Sequence, residues 1–313
     1  MDHPLTVFPG PASPALGSKV CAALQISPGR FVYRRFPDGE TEIEVQQSVR
    51  GHDVYLLQST GPPVEEHLMQ LLLLADACRR AGAARLTAVI PYLGYARQDR
   101  RVDRRSLGAR VAADVVALGR FDRLMLIDAH TPAIEGFFET PVDHLTAVPR
   151  LAGAAARVTG ADGIVVAPDF GAVKLARAYA KALRLPMAFV HKTRLSGDAV
   201  EAEAVIGDVR GRRPIIVDDM LSTGGTVAAA ARALRAAGAV EPISVAVTHA
   251  LLVGRSRELL DELSLGRVMT TDTVAIAATD AGRLEVTSVA PLIASAIQAN
   301  HREQSLASLR TPL

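Results

Sequence analysis

The amino-acid sequence predicts an α/β protein built as two similar halves, each a mostly parallel sheet flanked by helices. Three observations predict it. Short β-branched runs alternate with helix-length amphipathic segments, the pattern of strand–helix–strand crossovers. The alternation breaks off in a proline- and alanine-containing stretch, 141–162, and then starts again. Polar residues gather where the apolar runs end, the edge at which open parallel sheets bind ligands. A chain of 313 residues with 49% hydrophobic content is long enough for two cores, and we divide it as 1–147 and 148–313.

In the first half, VYLLQS (54–59) reads as a buried strand and VEEHLMQLLLLADACRRAG (64–82) as a helix. RLTAVIPYL (85–93), LGARVAADVVALG (107–119) and RLMLIDAH (123–130) continue as strand, helix and strand. The second half repeats the scheme with GIVVAPD (163–169), a helix from Ala172, PMAFVHK (186–192), PIIVDD (214–219), a helix from Val227 and PISVAVTHA (242–250). PLIASAIQANHREQSLASL (291–309) reads as a closing helix and tail.

Composition excludes several function classes. A net charge of +2 leaves no extended basic face for nucleic acid or an anionic membrane, although basic residues cluster locally in RQDRRVDRR (97–105). The N-terminus lacks a signal-peptide pattern, and LMQLLLLADACRR is too short to span a bilayer. Cys21 and Cys78 lack metal-ligand spacing and read as buried small hydrophobes, which suits a reducing cytoplasm. No GxxxxGK[ST] or GxGxxG follows any strand, so a nucleotide must be held by other means.

The most informative stretch is IIVDDMLSTGGTV (215–227). It sets the paired carboxylates of Asp218 and Asp219 on a strand-to-helix turn, ahead of a glycine loop that opens a helix. Gly224 and Gly225 permit close backbone approach, and free N–H groups at the helix start attract an anion. The chemistry is that of a phosphate carried by a ligand with hydroxyls, against the alternative of an ordinary capped connection. His130, ending IDAH, suits a metal, a phosphate or a structural role, and Asp169 in VVAPDFG suits a metal or a turn. Taken together at equivalent strand ends, they suit magnesium, which takes few protein ligands. RFPDGETEIEV (35–45) is either a turn leading into an edge strand or a purine platform, with Phe36 stacking on a base beside Asp38 and Glu40. Lys192 and Arg194 lie two apart in HKTRLSGD, on one side of an extended strand, as a phosphoryl clamp or a solvated charge pair.

These blocks together resemble the ribose-phosphate diphosphokinase (phosphoribosyl pyrophosphate synthetase) family. RFPDGE, PYLGYARQDRR, DAHTPAIEGFFETPVDHL, APDFGAVKLAR, KTR and VDDMLSTGGTV stand in family order nearly end to end. The resemblance implies two phosphoribosyltransferase-like domains, with the ATP-binding elements in 1–147 and the ribose 5-phosphate loop and mobile catalytic loop in 148–313. It implies transfer of the diphosphoryl group of ATP to the anomeric hydroxyl of ribose 5-phosphate, with Mg2+, giving phosphoribosyl pyrophosphate and AMP. Carried over residue by residue, Phe36, Asp38, Glu40, Arg97 and Gln98 match ATP-binding positions. His130 and Asp169 match metal positions, and Lys192 and Arg194 match the cations of the mobile loop. Asp218 and Asp219 match the ribose-hydroxyl positions, while Ser222, Thr223, Gly224, Gly225 and Thr226 match the 5-phosphate loop. The resemblance also implies self-association as a dimer or hexamer, because the Phe36 segment of family members reaches a neighbouring subunit. Ser222 stands where the best-known members carry an acidic residue, and VDRRSLGARVAADVV departs from their regulatory loop.

Overall fold

The structure is a computed structural model and describes residues 3–194, 201–280 and 282–310. The chain forms two compact units. The first comprises Met1–Thr146, Thr273–Ala275 and Ser288–Leu313, and the second Ala147–Asp272 and Ile276–Thr287.

The first unit runs β1 (Leu5–Pro9), α1 (Pro14–Leu24), β2 (Phe31–Arg35), β3 (Thr41–Val45), β4 (Asp53–Leu57), α2 (Val64–Arg80), β5 (Arg85–Ile90), α3 (Gly108–Ala117), β6 (Arg123–Ile127) and β7 (Val142–Leu145). Five of these strands make one parallel sheet in the order β1-β4-β5-β6-β7, which is also their order along the chain. β4 (DVYLL) is buried at every position, as expected of a parallel strand covered on both faces. α2 buries Leu68, Leu71, Leu74 and Ala75 along one stripe, with Glu65 and Glu66 in its first turn and Arg79 and Arg80 in its last. That placement opposes each charge to the helix dipole. β2 and β3 form a separate antiparallel ribbon, so RFPDGE is a hairpin turn that leads into β3, an edge strand of that ribbon.

The second unit contains α4 (Val148–Ala155), β8 (Gly163–Ala167), α5 (Val173–Leu183), β9 (Met187–Arg194), β10 (Glu201–Ile206), β11 (Arg213–Leu221), α6 (Gly225–Ala236), β12 (Ser244–Ala250), α7 (Ser256–Glu262), β13 (Val268–Thr271) and β14 (Leu284–Thr287). Its seven strands are ordered β10-β9-β8-β11-β12-β13-β14 and are parallel except for the β9–β10 pair. The chain lays down β8 first, adds β9 on one side and then crosses to place β11 on the other. The strand order therefore reverses between β8 and β11, which opens a crevice beyond their carboxyl ends.

The chain then closes with α8 (Ala290–His301), which packs against α1 in the first unit. A single cut at 147/148 would leave this helix with the second unit. A buried polar cluster holds it to the first. Asp53, fully buried, takes Arg85 Nε on Oδ1 at 2.7 Å and His301 Nδ1 on Oδ2 at 2.7 Å. Asn300 donates to the Tyr55 hydroxyl at 2.8 Å, and that hydroxyl donates to Asp53. Burial alone would raise the Asp53 carboxyl, but hydrogen bonds from Arg85 and His301 outweigh it and hold the group below the usual carboxylate range. Among the described residues, no helix is long and apolar enough to cross a membrane.

Candidate active site

The crevice of the second unit collects the acidic and glycine-rich motifs. β11 continues through Asp218 and Asp219 to Leu221, so the carboxylates sit on the strand itself and the turn is Ser222–Gly224. β12 explains the extension, since its parallel register pairs Asp218 with Val247 and Leu221 with Ala250. Asp218 accepts the Asp219 backbone N–H at 2.9 Å. Its carboxyl is pushed well above the carboxylate range, first by burial and then by the negative charges of Asp219 and Asp169. Asp169 leaves β8 next door, and its Oδ1 accepts the N–H groups of Gly171 at 2.9 Å and Ala172 at 3.2 Å. One Asp169 oxygen thus shapes the turn into α5, and the residue still adds negative charge to the crevice.

The loop after β11 is built for close approach. Gly224 is the N-cap of α6 with φ +82°, and a Cβ there would lie 3.3 Å from Leu259 Cδ2. Gly224 has no side chain with which to cap the helix, so the first-turn N–H groups of Gly225, Thr226 and Val227 face an open end. α6 begins at Gly225, two residues ahead of the start expected from composition, because the glycine pair forms the turn and enters the helix directly.

Lys192 and Arg194 lie in the last residues of β9, past its pairing with β8, where the backbone pairs with Glu203 and Glu201 of β10. The polar loop that follows them, 195–200, lies outside the described residues.

In the first unit the predicted residues sit on three elements. Phe36, Asp38 and Glu40 occupy the exposed tip of the β2–β3 ribbon. Asp38 Oδ1 accepts the Glu40 N–H at 3.1 Å, and Gly39 takes φ +95° to close the turn. Phe31, Ile43 and Val45 root the ribbon in the core, and Arg35 pairs with Glu66 of α2 at 2.9 Å. Phe36 is left 43% exposed, which an aromatic ring at a fixed tip tolerates only at the expense of exposed apolar area.

Arg97 and Gln98 are exposed in the turn after β5, seven and eight residues past the strand's last residue, and not at the strand end itself. Thr60 braces that turn, since its hydroxyl accepts the Gly94 N–H at 2.8 Å and donates to Tyr92 O at 3.1 Å. Gln98 also packs over Gly108, where a Cβ would come within 2.5 Å of its amide oxygen. His130 stands exposed beyond β6, the strand next to β5. The bracing role of Thr60 carries no sequence signal, because TGPP lies between a strand and a helix as an ordinary connection would. Among the described residues, no three His, Cys, Asp or Glu gather as a metal-binding group.

Residues 5–118 match the N-terminal domain of ribose phosphate pyrophosphokinase, and residues 145–274 match the phosphoribosyl transferase domain. A ribose-phosphate pyrophosphokinase of Gloeobacter violaceus is 40% identical over 98% of this chain and 93% of its own length. The chain belongs to the ribose-phosphate pyrophosphokinase family. The corresponding protein of Rhodopirellula baltica is also 40% identical, over 97% of this chain and 98% of its own. The crystal structure of phosphoribosylpyrophosphate synthetase from Mycobacterium smegmatis superimposes with a TM-score of 0.90, covering 96% of this chain and 99% of that one at 37% identity. This agreement establishes the two-domain α/β architecture and the enzyme class expected from the motif blocks.

Proposed function

We propose that this enzyme transfers the β,γ-diphosphoryl group of ATP to the anomeric hydroxyl of ribose 5-phosphate, releasing AMP. The observation that carries the reading is the crevice at the β8/β11 reversal, which sets a carboxylate pair directly before a glycine-capped helix start. In this assignment Asp218 and Asp219 accept hydrogen bonds from the ribose hydroxyls. Ser222, Thr223, Gly224, Gly225 and Thr226 hold the 5-phosphate on the first-turn amides of α6. The ribbon tip supplies the base platform, with Phe36 stacking on adenine and Asp38 and Glu40 accepting its amino hydrogens. Arg97 and Gln98 hold the rest of ATP.

The acidic crevice fits a divalent cation, because the buried Asp218 carboxyl lies in the field of the Asp219 and Asp169 charges and the α5 turn takes up Asp169 Oδ1 alone. His130 of the first unit and Asp169 of the second are each assigned as a position that would hold Mg2+, which would neutralise phosphate charge. The anomeric oxygen forms a bond to the β-phosphorus, the bond from that phosphorus to the oxygen it shares with the α-phosphate breaks, AMP leaves with that oxygen, and the hydroxyl proton passes to solvent. Lys192 and Arg194 stabilise the charge on the phosphoryl oxygens as this happens. Presentation of Phe36 on a protruding ribbon supports self-association, with the tip completing a neighbour's site in a cytoplasmic homo-oligomer.

The test is a reaction of the purified protein with ATP, Mg2+ and ribose 5-phosphate, separating products by chromatography. AMP and phosphoribosyl pyrophosphate are expected in equal amounts. ADP as the product points to an ordinary kinase, and no turnover points to a non-catalytic subunit.

A further inference from the structure

His130 is presented from a turn whose backbone is held in an unfavourable conformation. Asp128, the residue that leaves β6, has φ +38°, in the left-handed region that Asp enters more readily than most residues with a Cβ but where local hydrogen bonds must hold it. Two hydrogen bonds from β7 do so. Asp128 N–H donates to Leu145 O at 3.0 Å, and Ala129 N–H donates to His144 Nε2 at 2.8 Å. The first continues the parallel ladder and is available from any residue at 145. The second depends on one side chain.

His144 is opposite Leu126 in the β6–β7 register, so its ring reaches forward along the sheet to meet the turn. It is 8% exposed, which leaves little room for water to replace the bond. A ring nitrogen that accepts carries no proton, so the bond fixes the tautomer protonated at Nδ1.

We propose that His144 is a positioning residue: Nε2 fixes the Asp128–Ala129–His130 turn and so sets the direction in which the His130 imidazole points. The inference rests on the assignment of His130 to the metal and phosphate site. The sequence block DAHTPAIEGFFETPVDHL contains both histidines, but only strand pairing brings His144 beside the turn. Partners that orient a ligand in this way commonly change metal affinity or activity by about 10- to 100-fold when removed.

The experiment compares His144→Leu, which keeps an apolar side chain of similar size but no acceptor, with His144→Gln, whose amide oxygen reaches about as far as Nε2. Mn2+ is titrated into the full-length protein with a non-hydrolysable ATP analogue, followed by water-proton relaxation, alongside steady-state kinetics and thermal melts. In His144→Leu, Mn2+ affinity and kcat should fall by about 10- to 100-fold while KM for ribose 5-phosphate stays within about twofold, and His144→Gln should recover both to within about threefold. A folded His144→Leu that matches the parent in both, or a folded His144→Gln as impaired as His144→Leu, overturns the inference. Should His144→Leu fail to fold, the ¹⁵N shifts of His144 in the parent decide together with His144→Gln. A proton on Nε2 overturns the inference, and a bare Nε2 with near-parent kinetics in His144→Gln upholds it. His130→Ala separates the two ideas. Parent-like metal binding and turnover in that variant remove the His130 assignment and this inference with it, whereas losses there with none in His144→Leu remove only the role of His144.

Discussion

Asp218 accepts the backbone N–H of Asp219 at 2.9 Å on β11, and its carboxyl shares the crevice with the charges of Asp219 and Asp169. Carboxyls this close cannot all ionise without cost. A group whose folded pKa is raised contributes stability that is complete below its unfolded pKa and is lost as pH rises through the folded one. Asp218→Asn should therefore melt above the parent at pH 8. The gain should shrink below about pH 4, where Asp218 is protonated in both the folded and the unfolded chain. Relieving a tenfold bias in the protonation equilibrium is worth about 1.4 kcal/mol, and each kcal/mol about 2–4 °C in a chain of this size class. Calorimetry at the two pH values checks this, and an equal gap at both would contradict it.

Binding should separate the two substrates. On the proposed assignment of Asp219 to the sugar hydroxyls, Asp219→Ala would remove charged hydrogen bonds each worth about 1.5–3 kcal/mol, so ribose 5-phosphate affinity should fall by about 10- to 100-fold. ATP affinity should stay near the parent's. Isothermal titration with each ligand decides, and an ATP-only loss would reverse the assignment.

Gly224→Ala places a Cβ at φ +82° and 3.3 Å from Leu259 Cδ2. The left-handed conformation costs an L residue about 1–2 kcal/mol. Relief by turning the loop would re-aim the first amides of α6. We expect a lower melting temperature together with a KM for ribose 5-phosphate raised by about tenfold, roughly the effect of 1.4 kcal/mol. Parent-like KM in the variant would show that the phosphate does not depend on this turn.

Much of this organisation is legible in the sequence, for physical reasons that differ by element. β4 and β8 stand out because strands covered on both faces must be apolar throughout, and α2 because its buried stripe is uninterrupted. β10 escapes such a reading, since EAEAVI has little strand character and owes its place to pairing with β9. α4 is obscured by Pro149 and Gly153, which resemble a linker although the proline falls at the helix start. The return of α8 to the first unit rests on Asp53, Arg85 and His301, which are far apart in the chain. At the site, each motif can be read locally, but the convergence of Asp169 on Asp218 is a consequence of strand order.

That return of α8 is testable. Asp53 is fully buried against Arg85 and His301, and Asp53→Asn would leave Arg85 without its counter-charge. Removing one partner of such a pair costs about 3–5 kcal/mol, the lower end applying here because Arg85 keeps some contact with water. The Asp53 pKa is lowered, so its contribution is present above the unfolded carboxylate pKa and is lost as pH falls through the folded value. The stability gap between parent and Asp53→Asn, measured by urea titration, should be wide at pH 7 and narrow in acid. A gap independent of pH would assign the loss to packing instead of charge.

Lys192 and Arg194 stand at the end of β9, the strand beside the one that leads to Asp169. As the anomeric oxygen attacks, negative charge builds on the β-phosphoryl oxygens, and cations brought into a dehydrated site stabilise that state more than the ground state. Removing one preorganised contact of this kind typically costs about 10²- to 10³-fold in turnover. Lys192→Ala and Arg194→Ala should each lower kcat by about 10²-fold, with KM for either substrate changed far less, because the interaction is realised only in the transition state. Both variants should melt near the parent temperature. Steady-state kinetics paired with melts separates the outcomes. Turnover near the parent's in both would make these residues ordinary surface charges, while a raised KM at unchanged kcat would make them binding groups with no special hold on the transferring phosphorus.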